Sequence, residues 1–271
     1  MKRQWYAAPY ALWMVLFTLV PLVFVAYYAF SDGQGGVTTA HVMRIFQPGY
    51  LPVLLDSLRL SLYCTLICLL IGYPTAYFLA SRDFSENKML VVLILLPMWM
   101  NFLLRTYAMR TLLQDSGVIN TFFEWVGIGR QKLLYTEGAV LLGMVYNYLP
   151  FMILPIYTCL KKLDTRVVEA AEDLGANPLQ VVLKVTFPLS IPGIVSGITM
   201  VFMPAVTTFA ISNLLGGGMT YLIGDMIENL FTVHRNWNYG STISLILMVM
   251  IIASLALLRK VDPDNEGGGM W

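Results

Sequence analysis

Charge is scarce in this sequence. Of its 271 residues 12% are charged and 58% hydrophobic, with a formal net charge of +1. Soluble domains carry about 25% charged residues, so water is not the main solvent of this chain. The near-zero balance also removes the basic surface that nucleic acid requires. Histidine is rarer still. His41 and His234 are the whole complement, and neither forms an HExxH pair or stands with a serine inside an apolar run, which excludes the usual zinc and serine-hydrolase arrangements. No GxxxxGK[ST] phosphate loop is present, so the chain does not hydrolyse ATP by that route. The three cysteines, Cys64, Cys68 and Cys159, lie in apolar runs without further ligands. They read as small packing residues, and neither metal nor cofactor is expected.

What the chain has instead is long apolar sequence. A membrane span needs roughly 20 such residues, and charge-free runs cover 4–31, 60–81, 138–160 and 236–258. A shorter run between Lys88 and Arg105 continues to residue 113 if Arg105 snorkels or faces protein. From 185 to 224 there is no charge, which reads as a helix over 187–215 closed by a turn at the glycines 216–218. Six spans result, so the expected fold class is all-α, a polytopic membrane helix bundle. Lys2 and Arg3 precede a run too long for a signal peptide, which predicts a retained anchor with its N-terminus in the cytoplasm. An even span count places the C-terminus there too. Loop cations agree, ten on the cytoplasmic side against seven outside. One domain over 1–260 is expected, with a polar, disordered tail over 261–271. On the outer side, the helical spacing of Val118, Ile119, Phe122, Phe123 and Val126 predicts a short amphipathic helix.

One charged segment, 164–186, interrupts this pattern on the cytoplasmic side. Asp164 or Thr165 can cap a helix through "RVVEAAEDL", and Gly175 is placed for the left-handed position that ends it. Asn177 and Pro178 then read as N-cap and first residue of a second helix, which carries Leu179, Val182 and Leu183. The result is a shaped knob. Its apolar stripe packs either against the chain's own spans or against a partner, and the physics alone leaves both open.

The stretch "EAAEDLGANPLQVVLKVTFPLSIPGI" resembles the EAA motif of type I ATP-binding-cassette (ABC) import permeases. Glu169, Ala170, Ala171 and Gly175 match in identity and spacing, while Val185, Phe187 and Pro188 stand near the motif's closing Ile-x-Leu-Pro. The resemblance implies the type I ABC importer permease fold and a non-catalytic transport subunit of the bacterial inner membrane. It also implies that the knob is a coupling-helix pair docking on a separate ATPase, with Glu169, Ala170, Ala171, Glu172, Asp173, Gly175 and Asn177 as the coupling residues. The implied partners are a second homologous permease, two copies of an ABC ATPase, an extracytoplasmic solute-binding protein and membrane lipid.

The segments "LPMWMNFLLRTYA", "YNYLPFMILPIY", "LLGGGMTYLIGDMIENLF" and "NWNYGSTISLIL" are similar to the spermidine/putrescine branch of that family, which implies a polyamine as solute. Asn213 departs from the pattern, standing where the branch has an acid. Permeases of this family that carry thiamine, iron, opines or phosphonates remain the alternative. A free-standing secondary transporter is a weaker one, because coupling ions need acids within spans and the apolar cores hold none. Ammonium groups are held by acids and aromatic faces. Candidates on the outer side are Asp115, Asp225, Glu228, Trp237 and Tyr239; nearer the membrane they are Trp99, Asn101, Tyr107, Tyr146, Phe209 and Asn213. Each also has an ordinary role open to it: aromatic belt, helix packing, or, for Asp225 and Glu228, pairing with Arg235.

Overall fold

Backbone groups in lipid must be satisfied internally, and the described residues accordingly form helices and no strand. The computed structural model describes residues 8–32, 36, 38–44, 49–81 and 88–261. Residues 1–7 and 262–271, and with them Lys2, Arg3 and nearly all of the expected tail, lie outside these.

Helix α1 covers 8–30 and contains a π-helical stretch, Val15–Leu19. It is followed by α2 (Ala40–Met43), α3 (Leu51–Ala80), α4 (Lys88–Trp99) and α5 (Phe102–Leu113). Then come α6 (Val118–Val126), α7 (Glu137–Lys161), α8 (Thr165–Asp173) and α9 (Pro178–Leu189). The chain closes with α10 (Ile191–Thr207), the π turn α11 (Ser212–Gly216), α12 (Ile223–Thr232) and α13 (Trp237–Val261).

Four helices among the described residues are long and apolar enough to cross a membrane, and a fifth results if α9 and α10, bent by 66°, count as one. The expected third span is instead two 12-residue halves, α4 and α5. Each is about 18 Å long, short of the roughly 30 Å hydrocarbon core. The helix expected over 187–215 is also discontinuous. It stops at Thr207, Thr208 is extended (ψ 141°), and helical structure resumes at Ala210, leading into α11.

Helix α7 lies at the centre, with Met144, Met152 and Ile156 fully buried. Helix α10 reaches it through small residues: a Cβ at Gly197 would stand 2.8 Å from Met152 Sδ, and one at Gly193 2.9 Å from the Pro155 carbonyl oxygen. Close backbone approach of this kind is how helices associate where lipid removes the hydrophobic drive. A second cluster forms around Val206, Ile223, Tyr239 and Ile243. Beside it α1 meets α13, where the Thr242 hydroxyl donates to the Ala29 carbonyl (3.0 Å) and the Asn238 amide donates to that of Ser31. The rest of α1 is bare, with 6% of its span buried in this chain.

At the N-terminal ends of α3 and α7, Arg59 bridges Asp56 (3.4 Å) and Glu137 (2.9 Å). The amphipathic α6 forms as expected. Its inward residue Asn120 donates to the carbonyls of Gln114 (3.2 Å) and Gln131 (3.0 Å) and accepts from the Gln131 N–H (2.9 Å). Of the two courses open to Arg105, it faces protein rather than snorkelling. It is 6% exposed, and its Nε and Nη1 have no hydrogen-bond partner among the described residues. The α5 backbone fixes this, because Arg105 lies on the face that also buries Thr106 and Leu113.

Candidate functional site

The knob forms as the residue types dictate. The Asp164 carboxylate accepts from the Arg166 N–H (3.0 Å) and starts α8. Gly175, at φ 84°, ends it, with its N–H donating to the Glu172 carbonyl (2.8 Å) and that of Ala176 to Ala171 (3.0 Å). Asn177 then caps α9 reciprocally with Gln180: the Gln180 N–H donates to Asn177 Oδ1 (2.8 Å), and the Asn177 N–H to Gln180 Oε1 (3.0 Å). This capping box was legible in the spacing from Asn177 to Gln180 and was missed. Val181 is buried and roots α9 in the protein. Of the stripe, Leu179 and Leu183 stand exposed, as does Leu174 at the end of α8, while Val182 is half-buried. Most of the stripe therefore does not pack on the chain's own spans. Apolar area left in water forfeits about 25 cal/mol per Å², which a docking partner recovers. Beside it, Ala171, Leu174, Gly175, Gln180 and Lys184 line a shallow hollow of about 250 Å³.

Several candidate path residues gather at the two helix breaks. Trp99 ends α4 and is 80% exposed. Asn101 follows it, but its Oδ1 accepts from the N–H groups of Leu103 (2.8 Å) and Leu104 (3.3 Å), so it is spent as the N-cap of α5. Tyr107 on α5, Tyr146 on α7 and Phe209 at the second break are all exposed. Helices α5 and α11, which follow the two breaks, pack on one another. From α11, Asn213 donates to Glu228 Oε2 on α12 (3.1 Å). The glycine turn is shaped by packing. Gly217 has φ 56°, and a Cβ on it would lie 2.2 Å from the Tyr135 ring. Tyr135 is itself left-handed (φ 60°), its N–H donating to the Leu215 carbonyl (2.9 Å) and its hydroxyl accepting from Arg110 (2.9 Å).

Two outer candidates are not open to a solute in this conformation. Asp225 is 1% exposed, and its carboxylate accepts from the Ser212 hydroxyl (2.9 Å) and the Leu222 N–H (2.8 Å). Ser57 of α3 accepts the next N–H, that of Ile223 (2.7 Å). Asp225 and Glu228 thus do not form a common accessible pair, since α12 turns the first inward. Burial pushes the Asp225 carboxyl up to about 6, against the Leu222 and Ser212 donors that lower it, and nearby Glu228 adds to the rise. Tyr239 is 2% exposed, edge-on to Tyr50 at 4.9 Å. Trp237 remains exposed, edge-on to Phe231 at 5.5 Å. Neither Asp225 nor Glu228 forms an ion pair with Arg235. Asp115 lies beside Gln114, Arg130 and Lys132 around an open hollow. No cluster of three metal-ligating side chains occurs among the described residues.

Residues 70–265 match the family model described as binding-protein-dependent transport system inner membrane component. The chain is 39% identical over 266 residues to the spermidine/putrescine transport system permease protein PotB of Haemophilus influenzae, covering 92% of this chain and 93% of that one. It is 37% identical over 266 residues to the protein of the same description in Escherichia coli, with 92% and 97% covered. Among solved structures it resembles a bacterial ABC transporter involved in the import of the acidic polysaccharide alginate, with a TM-score of 0.77 at 20% identity over 96% of this chain and 97% of that one. The alginate transporter in complex with a pentasaccharide-bound periplasmic protein gives 0.79 at 18%, over 99% and 98%. These structures bear on the fold alone. With the family model spanning most of its length and relatives above one-third identity, the chain belongs to the binding-protein-dependent transport system inner membrane components, the membrane permeases of ABC importers.

Proposed function

We propose that this chain is the permease subunit of an ATP-driven importer of small polyamines, spermidine or putrescine, in a bacterial inner membrane, with both termini in the cytoplasm. The observation that carries the importer reading is the knob: a capped, glycine-broken helix pair whose Leu174, Leu179 and Leu183 stay bare beside Glu169 and Glu172. Its surface suits a separate cytoplasmic ATPase, two copies of which would supply the energy for which this chain has no machinery. The nearly bare α1 suits a second, homologous permease. The solute reading is supported by the names of the relatives. It is supported too by the residue types available along the path: Glu228, steadied by Asn213, and the exposed rings of Trp99, Tyr107, Tyr146, Phe209 and Trp237 offer acid and aromatic surfaces to ammonium groups. Exposed ion pairs contribute about 0–1 kcal/mol each, so these residues form a relay of weak contacts rather than a tight site.

Radiolabelled uptake tests this. Cells lacking their own polyamine importers and given the whole operon should accumulate spermidine or putrescine, and Glu228→Gln should slow the uptake several-fold while the complex still assembles. Robust uptake of thiamine or iron with none of polyamine would refute the solute and leave the importer standing.

A further inference from the structure

Helix α9 turns by 66° into α10 at Ser190. Pro188 and Pro192 flank this bend, and each removes a backbone donor from the helix. The fully buried Ser190 makes up part of the loss. Its N–H is shared between the carbonyls of Thr186 (3.0 Å) and Phe187 (3.1 Å), and its hydroxyl donates to that of Phe187 (2.8 Å). The same hydroxyl oxygen lies 3.2 Å from the hydroxyl of Tyr73 on α3, within hydrogen-bond reach. The Tyr73 ring meets that of Phe187 edge-on at 5.3 Å. One side chain of α3 therefore holds α9 by its ring and the bend by its hydroxyl. Helix α7 adds a weaker contact, from the Cys159 thiol to the Leu189 carbonyl (3.8 Å), since a thiol is a poor donor.

The grip continues into the bundle. Gly72, next to Tyr73, brings the α3 backbone against α7, where a Cβ on it would stand 2.9 Å from Met152 Cγ. Met152 Sδ in turn lies 2.8 Å from where a Cβ on Gly197 of α10 would be. Interiors packed this closely shift as bodies and do not deform continuously. A bend between two prolines is by contrast a place where a helix pair can flex. We propose that Tyr73 is a positioning residue for transport: it fixes the angle at which the knob is held on α3, so that a push on the knob moves α3 and the helices packed on it instead of flexing the α9–α10 bend. The proposal rests on the reading of the knob as the ATPase-docking element and adds the side chain through which the spans receive its movement. A tyrosine kept for packing alone needs its ring but not its hydroxyl.

The test uses the complete importer in proteoliposomes with the solute-binding protein of the same operon, reading labelled spermidine taken up and ATP hydrolysed in one sample. Tyr73→Phe keeps the ring and loses the hydroxyl. Spermidine moved per ATP should fall about fivefold, the order that loss of one buried hydrogen bond implies, while the complex still assembles and hydrolyses ATP. Ser190→Ala removes the other end of the bond and should act in the same direction. The double variant should fall no further than the deeper single one, as groups acting through one contact do. A ratio within twofold of wild type in both single variants overturns the proposal. So does a loss in which uptake and hydrolysis fall together, which marks a residue needed only for folding, and so do losses that multiply in the double variant. Gly175→Val with Glu169→Lys checks the knob separately. If that variant keeps uptake and hydrolysis, the coupling reading fails and the proposal with it; a damaged knob variant beside a normal ratio in Tyr73→Phe and Ser190→Ala overturns the proposal alone.

Discussion

Asp225 places both its oxygens inside the protein, one on the Ser212 hydroxyl and one on the Leu222 N–H. The acid therefore ties α12 to α11 instead of waiting for a solute. Its pKa of about 6, against an ordinary 3.8, has a sign that can be worked out. The folded state binds this proton more tightly than the unfolded chain does. The stability it contributes is complete below about 3.8 and is lost as pH rises through about 6, and the difference corresponds to about 3 kcal/mol. The melting midpoint of wild type measured against that of Asp225→Asn should consequently gain as pH falls from 7 to 4.5. A gap that is flat or shrinks would remove the buried-acid account. The inward turn of Asp225 was not legible in the sequence, which also left open whether Arg105 snorkels or faces protein. Both depend on which face of a short helix meets its neighbours, and charge by itself predicts exposure.

At the scale of elements the knob is the clearest case of sequence dictating form. Gly175, Asn177 and Pro178 each permit few conformations, and their order leaves one way to turn the chain. A Cβ on Gly175 would meet nothing within 4 Å, so any penalty there comes from φ alone, roughly 1–2 kcal/mol for an ordinary residue and more for a β-branched one. Gly175→Val combined with Glu169→Lys should lower uptake and transporter-stimulated ATPase activity several-fold while an immunoblot shows unchanged membrane abundance. Retention of both activities would detach the knob from coupling. The two broken spans were not legible in the same way. Each break follows a proline within about a turn, Pro97 before Asn101 and Pro204 before Thr208. Yet Pro74, Pro150 and Pro155 lie within unbroken α3 and α7. Proline removes one backbone donor, and the surrounding helices decide whether the helix survives the loss. That decision is tertiary, so a count of apolar residues returned continuous spans where the structure has halves.

For the whole molecule, the bare α1 and the single knob point the same way: one permease chain offers one docking site, and an importer with two ATPases needs two. Native mass spectrometry of the purified assembly should find one copy of this chain, one of a homologous permease and two of the ATPase. An active complex built only from copies of this chain would establish a homodimer instead.

The contact between α1 and α13 also has a temporal side. Thr242 and Asn238 bond to the carbonyls of Ala29 and Ser31, so α1 is made long before its main neighbour in this chain. Chain grows at about 5–20 residues per second. The more than 200 residues that separate the two sides of this seam keep α1 waiting alone in lipid for roughly ten seconds or longer. Its unbroken apolar surface, with no charge between Gln4 and Ser31, lets it wait there as an independent helix. The seam between α1 and α13 can close only once both helices have been made.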